Sequence, residues 1–191
     1  MTIIDMHIHL KNRSPCSIMS EHELFDKISP RLNGLCITDH WILKPFNLSY
    51  FSDIKVFFGA EITCDMGDLL AYGIKLLPSK NLTAKEMIDF IHKQGGIAVC
   101  AHPFSNRHYA FGENVYDFDF DAIEINGAIG KKYNKMAESA AIIMDLPTIG
   151  GSDAHSPTQL NTFGTKFESA IHSMLDIISS IKANKCKVVR V

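Results

Sequence analysis

Short apolar runs in this chain end, one after another, on a histidine or a carboxylate, and that repetition limits the folds open to it. The first run is Ile3-Ile4-Asp5-Met6-His7-Ile8-His9. Side chains alternate in a strand, so Asp5, His7 and His9 are expected on one face and Met6, Ile8 and Leu10 on the other. A soluble domain turns its apolar face inward, so a face this rich in ligand groups is expected to line a site. The ending recurs where Gly34 to Thr38 meets Asp39-His40, where Lys55 to Ala60 meets Glu61, and where Ile97 to Ala101 meets His102. It recurs again at Ala122 to Asn126, which carries Glu124, and where Thr148 to Gly151 precedes Asp153 and His155.

Helix signals lie between these runs. Ser20 with Glu23 and Thr83 with Glu86 read as capping boxes, and Pro30 and Gly95-Gly96 as the stops that follow. A further helix is expected from about Lys132 to Met144. A strand near Thr162 to Phe167, a helix from about Ile171 to Ala183 and a strand from Lys187 to Val191 complete the chain. The gap from Thr63 to Gly67 is too short for a crossover helix, so residues near 55–76 should form a hairpin. Strand alternating with helix predicts an α/β fold, mostly parallel, in one domain over residues 1–191. In a parallel barrel the C-terminal strand ends share one face, where active sites gather. The scattered ligand-type residues are therefore expected to converge.

A formal net charge of -2 argues against holding long nucleic acid by bulk charge. No apolar run is long enough to span a bilayer. Cys16, Cys36, Cys64, Cys100 and Cys186 are odd in number and scattered, which reads as reduced thiols and a cytoplasmic setting. His22, His92 and His172 read as surface residues, and Trp41 as a packing residue.

Imidazole and carboxylate without thiolate suit zinc, manganese or iron, and are too rich in nitrogen for magnesium or calcium alone. One ion takes about four protein ligands, so this larger set predicts at least two ions. A carboxylate such as Glu61 can bridge two cations. Paired ions ~3.5–4 Å apart activate a bridging water and clamp phosphoryl oxygens. The residues thus point to a metal-assisted hydrolase, with a phosphate ester the leading substrate class.

The same motifs resemble those of the PHP family, named for polymerase and histidinol phosphatase. They are Asp5-Met6-His7-Ile8-His9, Ile37-Thr38-Asp39-His40, Gly59-Ala60-Glu61-Ile62, Ala101-His102-Pro103-Phe104 and Gly150-Gly151-Ser152-Asp153-Ala154-His155. The chain looks most like the small stand-alone members described as metal-dependent phosphoesterases. The resemblance implies a distorted, TIM-like, seven-stranded β/α barrel with a cluster of two or three divalent ions on its C-terminal face. It implies one ion on His7, His9, Glu61 and Asp153. A second would be shared by Glu61 and His102, with Glu124 or Asn126 near it, and a third would lie on His40 and His155. Where family members carry a further Asp or His ligand, this chain has Ser14-Pro15-Cys16-Ser17, with Cys16 expected as a buried free thiol.

On this reading a metal-bridging hydroxide attacks phosphorus in a small phosphomonoester, nucleotide or short oligonucleotide. His155 or His40 protonates the leaving alkoxide. Asp5 supports catalysis by accepting a hydrogen bond from a ligand imidazole or nearby backbone. Arg107 and His108 are the candidate phosphate contacts, with Arg13 and Lys131 behind them. The alternatives are an amidohydrolase-type metal hydrolase and a non-catalytic regulatory module. No membrane partner is expected, and oligomeric state is not legible.

Overall fold

A computed structural model describes residues 1–46, 54–106 and 109–191. Among them nine strands form a single sheet: β1 (Thr2–Ile8), β2 (Gly34–Ile37), β3 (Lys55–Thr63), β4 (Asp68–Tyr72), β5 (Ile97–Cys100), β6 (Ala122–Asn126), β7 (Thr148–Gly151), β8 (Phe163–Phe167) and β9 (Cys186–Arg190). The helices are α1 (Glu21–Lys27), α2 (Ala84–Lys93), α3 (Lys131–Met144) and α4 (Met174–Lys182). Both expected capping boxes are present, Ser20 with Glu23 and Thr83 with Glu86, and Ser173 with Asp176 forms another at α4. No helix among the described residues is long and apolar enough to cross a membrane.

The sheet runs β7-β6-β5-β4-β3-β2-β1-β8-β9 and curls into a nearly closed barrel. Closure occurs where the segment after β7 meets β1. His9 N donates to Ala154 O at 3.1 Å, and Asp153 N donates to His7 O at 2.8 Å. Gly151 permits this approach, since a Cβ there would stand 2.5 Å from the Cβ and 2.7 Å from the backbone N of His7. Strands β1 to β7 encircle the interior, and β8 and β9 extend the same sheet beyond β1. The expected seven-stranded barrel is corrected to this nine-stranded sheet. The expectation of mostly parallel pairing is also corrected, because β4 and β8 run against their neighbours and half of the pairings are antiparallel. The hairpin expected near residues 55–76 is β3–β4, closed by the pair Thr63 and Asp68.

Apolar residues of β1 through β8, from Ile4 and Met6 to Phe167, meet in one interior cluster that Ile177, Ile178 and Ile181 of α4 complete. Ile171, just before α4, bonds to Thr2 Oγ1 at the start of β1. Helix α4 thus stops the barrel end opposite the histidines. Helices α2 and α3 cover β3 to β6 from outside, and α1 covers β1 and β2. Burial of Met87, Ile88 and Ile91 on α2 contributes roughly 1.5–3 kcal/mol per side chain.

The simple alternation expected of β1 breaks midway. Pairing with β2 shifts by one residue between Asp5 and Ile8. Ile4 and Met6 pack in the interior cluster, whereas Ile8 and Leu10 pack outside with Leu24 and Leu35. Met6 and Ile8 therefore do not share a face. The irregularity is what a bulge does: it re-aims the side chains that follow, here His7 and His9.

Candidate metal centre

The ligand-type residues collect at the end of the barrel where β1, β2, β3 and β5 to β7 terminate. Among the described residues three groups have ligand atoms close enough to share an ion: His7, His9, Glu61 and Asp153; Glu61, Asp68 and His102; and His9, His40 and His155. The first two are buried, while His40 and His155 are half-buried.

In the first group His7 Nε2 lies 2.9 Å from His9 Nε2, 3.4 Å from Glu61 Oε2 and 3.5 Å from Asp153 Oδ1. His9 Nε2 lies 3.1 Å from Glu61 Oε2 and 3.4 Å from Asp153 Oδ1. Donors bound tetrahedrally to zinc at 2.0–2.1 Å stand about 3.3 Å apart, so the four atoms have the spacing of one coordination shell. Their hydrogen bonds show which nitrogens bind. His7 Nδ1 donates to Glu124 Oε1 at 2.7 Å, because a carboxylate only accepts. His9 Nδ1 donates to Ser14 Oγ at 3.0 Å, because that hydroxyl spends its proton on Asp39 Oδ1 at 2.8 Å. Both Nε2 lone pairs then face each other, an arrangement that a cation between them stabilises. The donor set fits divalent metal.

The second group shares Glu61. Its Oε1 lies 3.1 Å from His102 Nε2, while its Oε2 faces the first group. Asp68 Oδ2 stands 3.8 Å from the same His102 nitrogen. Burial and the neighbouring Glu61 carboxylate raise Asp68 to about 6. Two buried carboxylates crowded in this way also favour a cation.

The remaining electrostatics follow one pattern. Burial alone would lower the histidines and raise the carboxylates. Glu124, Asp153 and Glu61 outweigh it at His7, which is held well above its ordinary value. At Glu61, His7 and the hydrogen bonds from His102, His7 and His9 outweigh it and hold the carboxyl well below the usual range. His40 and His155 are lowered by burial and by nearby histidines.

Backbone conformation helps to aim the ligands. His102 has φ 30° and Asp153 φ 52°, left-handed values that cost a residue with a Cβ about 1 kcal/mol or more. At His102 the turn matters, since Ala101 already packs in the interior and simple alternation would point His102 outward.

Of the expected ligands, His7, His9, His40, Glu61, His102, Asp153 and His155 all belong to these groups. Glu124, the other expected ligand, is not in these groups. Its Oε1 accepts from His7, and its Oε2 accepts from His102 N at 2.9 Å and Asn126 Nδ2 at 3.0 Å. It holds one ligand ring and the backbone of another. Asn126 also donates to Asp153 Oδ2 at 3.1 Å. Asp5, expected to accept a hydrogen bond from a ligand imidazole or nearby backbone, accepts from backbone. Its Oδ1 accepts from Ser152 N at 2.8 Å and His7 N at 3.2 Å, tying β1 to β7, and burial raises it to about 7.

Cys16 is exposed rather than buried. Arg13 is bound to Asp39 and to Lys44 O, so it is not a free phosphate contact. Lys131 lines a separate cleft with Asn134 and Arg190. His92 pairs with Asp121 at 2.8 Å, while His22 and His172 are exposed. Arg107 and His108 lie outside the described residues. The ligand-type residue missed from sequence is Asp68, the first residue of β4. That strand runs backwards in the hairpin, so its start shares the edge where the other strands end.

A family model described as PHP-associated matches residues 131–186. An uncharacterized protein of Methanocaldococcus jannaschii is 26% identical over 138 residues, which cover 65% of this chain and 81% of that protein. PsfC from Pseudomonas syringae has a TM-score of 0.77 at 18% identity, over 100% of this chain and 91% of its own. A candidate metal-dependent phosphoesterase from Bifidobacterium adolescentis has a TM-score of 0.61 at 15% identity, over 80% and 87%. An amidohydrolase from Chromobacterium violaceum, solved with sulfate and no metal, has a TM-score of 0.66 at 14% identity, over 98% and 97%. The structural likenesses speak for the fold. With a PHP-associated segment matched over residues 131–186, and PHP-like motif residues gathered at one end of that fold, the chain is similar to proteins of the PHP-domain family.

Proposed function

We propose that this chain is a metal-dependent hydrolase that cleaves a small phosphate ester. The observation that carries the reading is Glu61, whose two oxygens face two different ligand groups. His7, His9, Asp153 and Glu61 would hold one cation, and Glu61, Asp68 and His102 a second. Zinc, manganese or iron suits these donors. Bound divalent cations supply Lewis-acid polarisation of phosphoryl oxygens and make water a nucleophile near neutral pH.

The chain's own residues supply the rest. Glu124 and Ser14 fix the two imidazoles of β1, and Asn126 orients Asp153. His40 and His155 are the more exposed members, so they meet the substrate. His155 Nδ1–H is held by Asp153 O at 2.9 Å, so once the ring is protonated its Nε2–H is the proton it would pass to the leaving alkoxide oxygen, returning the ring to neutral. Arg107 and His108 are proposed as phosphate contacts from their residue types alone. The proposed partner is a small phosphorylated molecule, a nucleotide or a short oligonucleotide, in the cytoplasm. The same donors would also serve a hydrolase acting on an amide or a ring, as the Chromobacterium violaceum likeness suggests.

The test is phosphate release from a panel of phosphomonoesters and short oligonucleotides with Mn²⁺, Zn²⁺ or Fe²⁺, run beside a panel of amides and cyclic amides. Wild type should release phosphate, and His7→Ala and Asp153→Ala should abolish it. Metal-loaded protein that cleaves no phosphate ester refutes the reading, and cleavage of amides alone favours the alternative.

A further inference from the structure

The third group of ligand-type residues shares His9 with the first, and Ser14 fixes which nitrogen of that ring is open. Its hydroxyl donates to Asp39 Oδ1 at 2.8 Å and accepts from His9 Nδ1 at 3.0 Å and from His40 N at 3.1 Å. Asp39 is itself anchored, accepting from Leu10 N at 2.8 Å and from Arg13 Nε at 2.6 Å. Arg13 is held in turn by Lys44 O and lies over the Phe46 ring. Each polar group in this chain of contacts has one direction open to it, so the proton on His9 resides at Nδ1.

A neutral imidazole then offers one in-plane lone pair, at Nε2. That nitrogen already lies among His7, Glu61 and Asp153. It cannot also serve an ion between His40 and His155, although its ring stacks on both at 4.7 and 4.3 Å between centroids. Without it the third group keeps two imidazoles of its own, too few for a tightly held ion.

We infer that Ser14, backed by Asp39, is a positioning residue that commits His9 to the first ion and limits the centre to two tightly held ions. His40 and His155 are thereby left with open nitrogens for the substrate. The inference rests on the metal-centre reading above and adds to it a residue and a count.

Two measurements test it. The first is ¹⁵N NMR of the metal-free chain at alkaline pH, which reads the tautomer of His9 with no metal involved. Wild type should show protonated Nδ1 and bare Nε2, Ser14→Thr should keep that state, and Ser14→Ala should give a mixture. A wild-type proton at Nε2, or a Ser14→Ala spectrum unchanged from wild type, overturns the role of Ser14. The second is metal content after equilibration and gel filtration, with affinity measured by chelator competition. Wild type should retain two ions, and Ser14→Ala should lose about 10- to 100-fold in affinity for one of them, with Ser14→Thr restoring it. Three ions retained by wild type overturns the count. No ion retained, with the tautomer as expected, overturns the metal-centre reading while leaving Ser14's control of His9 standing.

Discussion

Replacing Gly151 by alanine tests whether the close approach of β7 to β1 builds the centre. The added Cβ would stand 2.5 Å from His7 Cβ, 2.7 Å from His7 N and 3.1 Å from His7 Cα. Two of these are backbone atoms and cannot rotate aside, so the strands must part by about 1 Å to reach ordinary contact. Overpacking of this kind costs about 1–3 kcal/mol. For a chain of this size that is a fall in Tm of roughly 2–12 °C. The parting also moves Asp153, whose N–H bonds to His7 O at 2.8 Å, away from the ligands on β1. Ligand distances tolerate only about 0.2 Å, so metal affinity should fall at least ~10-fold.

Gly150→Ala is the control. Its Cβ would stand 2.8 Å from Gly164 O and 2.9 Å from Val188 Cγ1, against β8 and β9 rather than β1. It should lower Tm while changing metal affinity less. Urea titration of the metal-free proteins and chelator competition of the loaded ones separate the two effects. Gly151→Ala with wild-type stability and affinity would refute the argument from closure.

Other outcomes follow from the same geometry. Glu61→Gln should weaken both ions, whereas Asp68→Asn should weaken only one; equal losses in chelator competition would count against the bridge. Glu124→Gln turns an amide nitrogen toward groups that donate, and should lower metal affinity about 10- to 100-fold though no ligand is removed. Unchanged affinity would show that Glu124 does not hold His7.

Without metal, His9 and His102 are pulled down by burial but raised further by their carboxylate neighbours, chiefly through hydrogen bonds that His9 donates to Asp153 and Glu61 and His102 donates to Glu61. A raised histidine contributes stability fully below about pH 6.5, and the contribution is lost as pH rises through the folded value. Asp5, raised to about 7 by burial, acts in the same direction. Glu61 and Asp153, held low, contribute above about pH 4 and lose that contribution as pH falls through their folded values. The metal-free Tm should therefore peak at about pH 4–6.5 and decline above it. With metal it should rise across neutrality, because the ligands must shed protons to bind. Calorimetry with and without chelator checks this, and a metal-free Tm that climbs from pH 6.5 to 9 contradicts it.

The amino-acid sequence alone determined the elements and their chemistry. Apolar runs of strand length and the capping boxes at Ser20 and Thr83 are local patterns, and they placed β1 to β9 and the helices near their observed positions. The ending of each run on a histidine or carboxylate named most of the ligand-type residues before any were seen together. Only the tertiary structure decided which atoms meet. Asp68 reached the site because β4 is reversed, and direction matters only once strands pair. The β1 bulge and the positive φ of His102 broke the period of two on which facing was reckoned. Glu124 has its oxygens engaged by His7, His102 and Asn126, partners that no local pattern announced. Ser14, which seemed only the absence of a ligand, gained a role because Asp39 stood behind it. Local pattern sets what a residue can do, and long-range packing sets which partner consumes each hydrogen bond and lone pair.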